Sequence, residues 1–301
     1  VDMGGSGTCA MSGLLARLVD DAVLFPPASL SMTAAVARHR DDLAAQSPML
    51  TDRLLCPAAR LHELLAELRG ADRFRVVLIA GTRLDAVTES VRVVATAPAI
   101  ELDSLEVPLS ASKAVDPGQA VGEIVETVRC ISEPTGVPVY LEARSVDQVP
   151  AMVRAIAGLS SCGTVGAKIR CGGIRPELFP AAPALARALG SAVAAGVPIK
   201  ATAGLHRAVR HVDPATGFTH FGFLNLLLAV TAFVRGGGPA EAVAALEAAG
   251  AGDVARQARG LDPETASAVR SAFVAYGSCS TRRPVREAAA MGLLVEQQRA
   301  R

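Results

Sequence analysis

Two lysines carry the chemistry this sequence offers. Lys168 lies in Gly166-Ala167-Lys168-Ile169-Arg170 and Lys200, 32 residues on, in Pro198-Ile199-Lys200-Ala201-Thr202, each inside an otherwise apolar run. Glu106, between Leu105 and Val107, and Glu142, after Tyr140-Leu141, are set the same way. Burying an unpaired charge costs several kcal/mol, so a folding requirement alone seldom collects such a set. An amine is a nucleophile only when neutral, and a free lysine, with a pKa of roughly 10.4, is almost wholly protonated at neutral pH. A second cation nearby, in a site that excludes water, is expected to lower that pKa. Lys168 would then attack a carbonyl to form a Schiff base. The protonated imine is an electron sink for making or breaking a C–C bond, with Glu106 or Glu142 moving protons.

These side chains need elements that gather them. β-rich runs are expected at 21–26, 53–57, 75–80, 102–108, 137–143, 165–171, 197–203 and 273–278. Helical spacing fills the intervals at 32–43, 59–68, 84–94, 117–128, 146–157 and 183–195, and a last helix runs from Pro284 to residue 298. Ser31 and Asp116 read as N-caps, with Pro117 at a first helical position. Eight strand–helix repeats imply parallel strands, and that number closes a (β/α)8 TIM barrel, an α/β fold; a doubly wound open sheet is the alternative. Residues 1–10, with Gly4-Gly5-Ser6-Gly7, read as a disordered or expression-derived leader, and 11–301 as one domain. The stretch 205–272 exceeds the roughly 30 residues of one repeat. It reads as a helical insertion serving as packing, lid or oligomer contact. Apolar Phe221, Phe223, Leu224 and Leu227 would face a twin subunit in a homo-oligomer.

Strand side chains alternate, and helices cover the outside of such a barrel. With Val165, Ala167 and Ile169 outward, Lys168 and Arg170 point in. By the same parity Lys200 and Thr202, Tyr140, Glu142 and Arg144, and Glu106 converge inside, at the C-terminal end where such barrels keep their active sites.

Other constellations compete. His206, His211 and His220, with Glu142 and the strand-end thiols Cys56, Cys171 and Cys279, suit a zinc ion that activates water; His206, His220 and Glu142 are the metal-ligand alternative. Their spacing matches no tight motif such as HExxH. His39 and His62 read as solvated helix residues. Cys171 is either a thiolate favoured by Lys168 and Arg170 or simple packing, and packing is expected for Cys130 and Cys162. Gly172-Gly173 could offer N–H groups to an anion, while Gly236-Gly237-Gly238 reads as a helix end. Arg207 and Arg210 could gather an anionic substrate.

Composition excludes several classes. Of 301 residues half are hydrophobic, and 30 basic residues balance 29 acidic ones, which speaks against nucleic-acid or membrane-surface partners. With no Trp, two Tyr and eight Phe, there is no aromatic platform for stacking bases. The longest apolar run, 221–234, is shorter than the roughly 20 residues a membrane crossing needs. Arg17, Asp20 and Asp21 interrupt any signal-like stretch. Six scattered cysteines without CxxC read as reduced thiols in the cytoplasm.

Three segments resemble one family. Gly166-Ala167-Lys168-Ile169-Arg170-Cys171-Gly172-Gly173 resembles the strand-six motif of deoxyribose-phosphate aldolases and related class I aldolases. Pro198-Ile199-Lys200-Ala201-Thr202-Ala203-Gly204 is similar to their strand-seven motif, and Phe273-Val274-Ala275-Tyr276-Gly277-Ser278-Cys279-Ser280 to their strand-eight end. The resemblance implies Lys168 as imine former, Lys200 as its activator and Glu106 as the strand-four carboxylate. Glu142, Arg170, Thr202, Gly204, His206, Ser278 and Ser280 are then the expected substrate-binding set, with no cofactor. Strand six lacks the family's Ser/Thr-rich run, and strand seven ends in Ala203-Gly204-Leu205-His206 in place of a double glycine, so the sugar-phosphate substrate is not carried over.

Overall fold

The computed structural model describes residues 13–81, 84–159 and 163–294. Cys9, Cys162, the leader 1–10 and the end of the last expected helix lie outside them, as does the side chain of Cys130. Eight parallel strands close into a barrel: β1 (Val19–Asp21), β2 (Leu50–Pro57), β3 (Phe74–Ile79), β4 (Ile100–Pro108), β5 (Val139–Glu142), β6 (Val165–Arg170), β7 (Ile199–Thr202) and, after a small hairpin of β8 (His211–Val212) and β9 (Thr219–His220), β10 (Phe273–Ser278), which pairs with both β7 and β1. The fold is therefore the expected (β/α)8 barrel.

Helices α1 (Met32–Ala45), α2 (Leu61–Glu67), α3 (Leu84–Ala95), α4 (Pro117–Thr135), α5 (Val149–Ala157) and α6 (Ala182–Ala194) follow the first six strands. Local chemistry sets their ends. Ser31 Oγ accepts from the Ala34 N–H at 3.3 Å, and Asp116 Oδ1 from the Gln119 N–H at 2.9 Å, so both expected caps form. After α6, Gly196 turns at φ +65°, a region that disfavours a Cβ, and the chain enters β7.

One expectation needs correction. The first strand is Val19–Asp21 and not 21–26; the chain bends away at Val23, whose N–H is held by Asp21 Oδ1 at 3.1 Å. The expected helical insertion follows β9, and its contacts fit the packing reading. Helix α7 (Phe223–Val234) is the ordinary seventh helix, packed on β10 with Phe223 stacked on Tyr276 at 5.7 Å between ring centres. Helices α8 (Pro239–Glu247), α9 (Ala251–Arg259) and α10 (Pro263–Ala272) cover its outer side. Phe221, Phe223, Leu224 and Leu227 are thus already buried within the chain, and the reason for assigning them to a subunit contact is gone. The last helix, α11 (Arg282–Ala290), stops before Gly292 at φ +66°. The loop from Ala203 to Gly222, with the β8–β9 hairpin, sits over the ends of β6 and β10, with Gly204 beside Cys171 and His206 beside Ser278.

The apolar core is the sleeve between barrel and helices, where Ala167, Ile169, Ile199 and Ala201 meet Leu185, Leu189 and Leu224. Charges occupy the barrel interior. Among the described residues no helix is long and apolar enough to cross a membrane.

Candidate active site

Strand alternation delivers Lys168 and Lys200 to the interior as register partners on β6 and β7. Glu106 of β4 reaches between them: its Oε2 lies 2.7 Å from Lys168 Nζ and its Oε1 2.7 Å from Lys200 Nζ. Lys168 also meets Glu142 Oε2 at 3.0 Å, and Glu142 Oε1 is 2.7 Å from Arg170 Nη2. On the other side Lys200 meets Asp20 Oδ2 of β1 at 2.7 Å. The six groups alternate in sign, Arg170–Glu142–Lys168–Glu106–Lys200–Asp20, and their formal charges cancel. Pairing of this kind is what lets a dry interior hold ions. The row runs outward from Lys200, 1% exposed, through Lys168 at 6%, to the Arg170 side chain, 43% exposed at the mouth.

The deep end continues below. Asp20 Oδ1 accepts from Thr51 Oγ1 at 2.7 Å and lies 3.5 Å from Arg53, which meets Asp103 at 3.0 Å. The Tyr140 ring lies 5.2 Å from Lys200 Nζ, a cation–π contact. Gly166 makes room for that ring, since a Cβ there would sit 2.6 Å from Tyr140 and 2.7 Å from Pro198 O.

This geometry reverses one expectation. Burial disfavours the ammonium of Lys168, but Glu106 and Glu142 outweigh burial and raise its pKa. Lys200 is raised further: burial opposes the charge, and Asp20 and Glu106 overcome it. The neighbouring amine does not lower either pKa, because a carboxylate stands between the two. Burial raises Glu106 as well, yet Lys168 and Lys200 hold it at about 2, and Lys168 and Arg170 lower Glu142 against the same burial.

Above this row, Thr202 is the register partner of both Arg170 and Gly277. His206 Nδ1 lies 3.3 Å from Ser278 Oγ and 3.7 Å from Cys279 Sγ. Ser278 Oγ donates to Ser280 O at 3.0 Å. Burial, then His220, Arg283 and His211, push His206 down to about 4, so its imidazole is neutral at pH 7. Ala203 and Gly204 both take positive φ, 63° and 77°, and so bend the chain from β7 into this loop. A Cβ on Gly204 would meet Cys171 O and His220 Nδ1, each at 3.3 Å.

The metal alternative is not assembled. Among the described residues no group of three or more His, Cys, Asp or Glu side chains is placed to hold a metal ion. Glu142 is held by Lys168 and Arg170, His206 by Ser278, and His220 by Gly204 O at 3.2 Å and a stack on His211. Cys171 faces the helices, and burial pushes its thiol up to about 12, so the thiolate reading fails. Arg144 donates to the carbonyls of Leu109, Ser112 and Ala114, outside the site. A Cβ on Gly172 would meet Phe179 at 3.0 Å and one on Gly173 would run into Leu178, so these glycines serve close loop packing. His62 is exposed as expected, whereas His39 is buried at 2%, with Nδ1 3.1 Å from Asp21 Oδ2.

Sequence reasoning missed Asp20, Thr51, Arg53 and Asp103. Asp20 carried a usable signal, a charge in the apolar run Leu18-Val19-Asp20-Asp21-Ala22-Val23, the pattern that located Lys168.

The class these observations define is a (β/α)8 barrel with a paired charge row rising to its C-terminal mouth. No family model matches the chain, and comparisons with curated proteins and with solved structures also find no match.

Proposed function

We propose that this barrel is an enzyme of the Schiff-base aldolase or lyase type, acting on a small anionic carbonyl compound through Lys168. The observation that carries the reading is the single Glu106 carboxylate bridging two buried amines, 2.7 Å from each. A proton passes from Lys168 Nζ to Glu106 Oε2 along that contact, against the resting preference for the ion pair, so the neutral amine is a minor form that the arriving carbonyl consumes. The freed amine adds to the carbonyl carbon, and the carbonyl oxygen takes the Glu106 proton. Water leaves to give the protonated imine. The imine nitrogen then withdraws the electron pair of the Cα–Cβ bond as it breaks, and Glu106 takes the β-hydroxyl proton so that the leaving fragment departs as a carbonyl compound. The same proton returns to the enamine carbon, and water hydrolyses the imine to free Lys168. Lys200 stays protonated against Asp20 and keeps Glu106 acidic enough to release its proton again. Arg170, Thr202, His206, Ser278 and Ser280 face the substrate at the mouth, and no cofactor is required.

Borohydride added with a panel of aldehydes and ketones is expected to leave a reduced adduct on Lys168, seen by peptide mass spectrometry and absent from Lys168→Met. No adduct across a broad panel overturns the reading. One observation favours a second reading: every member of the row is partnered, as a barrel that only binds a small molecule would also require. Ligand binding retained in Lys168→Met, without turnover in either protein, would select it.

A further inference from the structure

The barrel mouth has two unlike walls. On β5, β6 and β7 the inward side chains nearest the mouth are Glu142, Arg170 and Thr202. On β1, β2 and β3, two residues past the inward Asp20, Arg53 and Arg75, come Ala22, Leu55 and Val77, which form a separate apolar cluster with half-buried Phe25 and Ile79 against it. None of these five side chains carries a hydrogen-bonding group. The walls meet at Gly277, where a Cβ would lie 3.1 Å from Leu55 Cδ2 and 3.8 Å from Thr202 Oγ1. Ile79 is the register partner of Glu106 and stands beside the carboxylate that holds Lys168.

A carbonyl carbon brought to Lys168 Nζ therefore has the Glu142–Arg170 ion pair and a hydroxyl on one side, with the half-exposed guanidinium outermost, and only hydrocarbon on the other. Each methylene laid on that hydrocarbon is worth roughly fourfold in affinity. A hydroxyl buried there without a partner loses about 10- to 100-fold. The geometry points to carbonyl compounds bearing an alkyl or aryl chain and one anionic group, and not polyhydroxylated sugar phosphates, as the substrate class. The inference rests on the Schiff-base reading for its reacting atom and on the β1–β3 wall for its selectivity.

Two measurements separate those supports. In the first, unbranched 2-oxo acids from pyruvate to 2-oxohexanoate, with 2-deoxyribose 5-phosphate and glyceraldehyde 3-phosphate, are trapped on Lys168 with borohydride. The half-trapping concentration is expected to fall roughly fourfold per methylene. It should stay at least about 10-fold higher for both sugar phosphates than for 2-oxohexanoate, and Ile79→Ala should flatten the series. A flat series, or sugar phosphates trapping first, overturns the inference. In the second, unreactive alkanoates from acetate to hexanoate are titrated calorimetrically. A chain-length gradient that Ile79→Ala flattens, with no carbonyl ever trapped, removes Lys168 as the reacting group and keeps the apolar wall as the selector. A gradient missing from the alkanoates overturns the wall even where trapping succeeds.

Discussion

Lys168 and Lys200 grip opposite oxygens of the Glu106 carboxylate, each at 2.7 Å. Each lysine has a second carboxylate, Glu142 for Lys168 and Asp20 for Lys200, so Glu106 is the only member of the row whose loss brings two ammonium groups face to face. That asymmetry ranks the consequences of substitution.

Glu106→Gln leaves two buried cations without the anion between them and is expected to cost about 3–5 kcal/mol of stability. Lys200→Met should cost less, since Asp20 keeps Thr51 and Arg53 while Glu106 keeps Lys168. Lys168→Met brings Glu106 and Glu142 face to face, but Lys200 still pairs the first and half-exposed Arg170 the second at the mouth, so it should cost less than Glu106→Gln, by about 1–2 kcal/mol. Urea denaturation of the three variants gives the order, and a reversed order refutes the shared-counterion account. The folded Lys168→Met protein is then a clean control for trapping.

Acid should act in two stages. His206, lowered to about 4 in the folded protein, contributes stability that is full above its unfolded pKa of roughly 6.5 and is lost as pH falls through 4. Glu106, lowered to about 2, contributes stability that is full above its unfolded pKa of roughly 4.3 and drains away as pH falls toward 2. Lys168 and Lys200 are raised, so their contribution is full below an unfolded pKa of roughly 10.4 and falls as pH rises through their folded values. Chemical denaturation across pH should show the first acid loss disappear in His206→Phe while the second remains.

Much of this arrangement was readable from strand periodicity. Lys168, Lys200, Glu106, Glu142 and Tyr140 each sit between apolar neighbours of opposite parity, so the inward face followed from the residues themselves. β10 fell on its expected residues for the same reason. The counterions were harder to see. β1 is three residues long, too short for alternation to place Asp20, and its partner Lys200 becomes a neighbour only when β10 closes the barrel between β1 and β7. Asp103 is the residue skipped at a register shift in β4, between Leu102 and Ser104, which breaks the parity rule. The rise in both lysine pKa values depends on these long-range carboxylates, and no local pattern encodes it.

Gly166→Ala tests the packing under Lys200. The new methyl group would fall 2.6 Å from the Tyr140 ring and 2.7 Å from Pro198 O, which is backbone and cannot swing aside. Overpacking of this sort costs about 1–3 kcal/mol. Tyr140→Leu in the same chain relieves the ring clash and not the backbone one, so it should restore only part of the loss. Full recovery in thermal melts would show that the carbonyl contact is immaterial.

Asn225 looks like a polar interruption in an apolar helix, yet it fastens the mouth loop. Its Oδ1 accepts from the Arg210 N–H at 2.7 Å and the Gly222 N–H at 3.1 Å, and its Nδ2 donates to Ala245 O at 2.7 Å and Ala248 O at 2.8 Å. One buried amide thus ties the segment carrying His206 to α7 and to the end of α8. Asn225→Leu suits the helix by shape but strands four backbone groups, and should cost at least about 3 kcal/mol. Asn225→Asp keeps the two acceptor contacts and loses both donors, so the Arg210 and Gly222 amides should stay protected from hydrogen exchange while the helix α8 end loosens. Equal loss of protection at both places would mean that the loop is held by something other than this side chain.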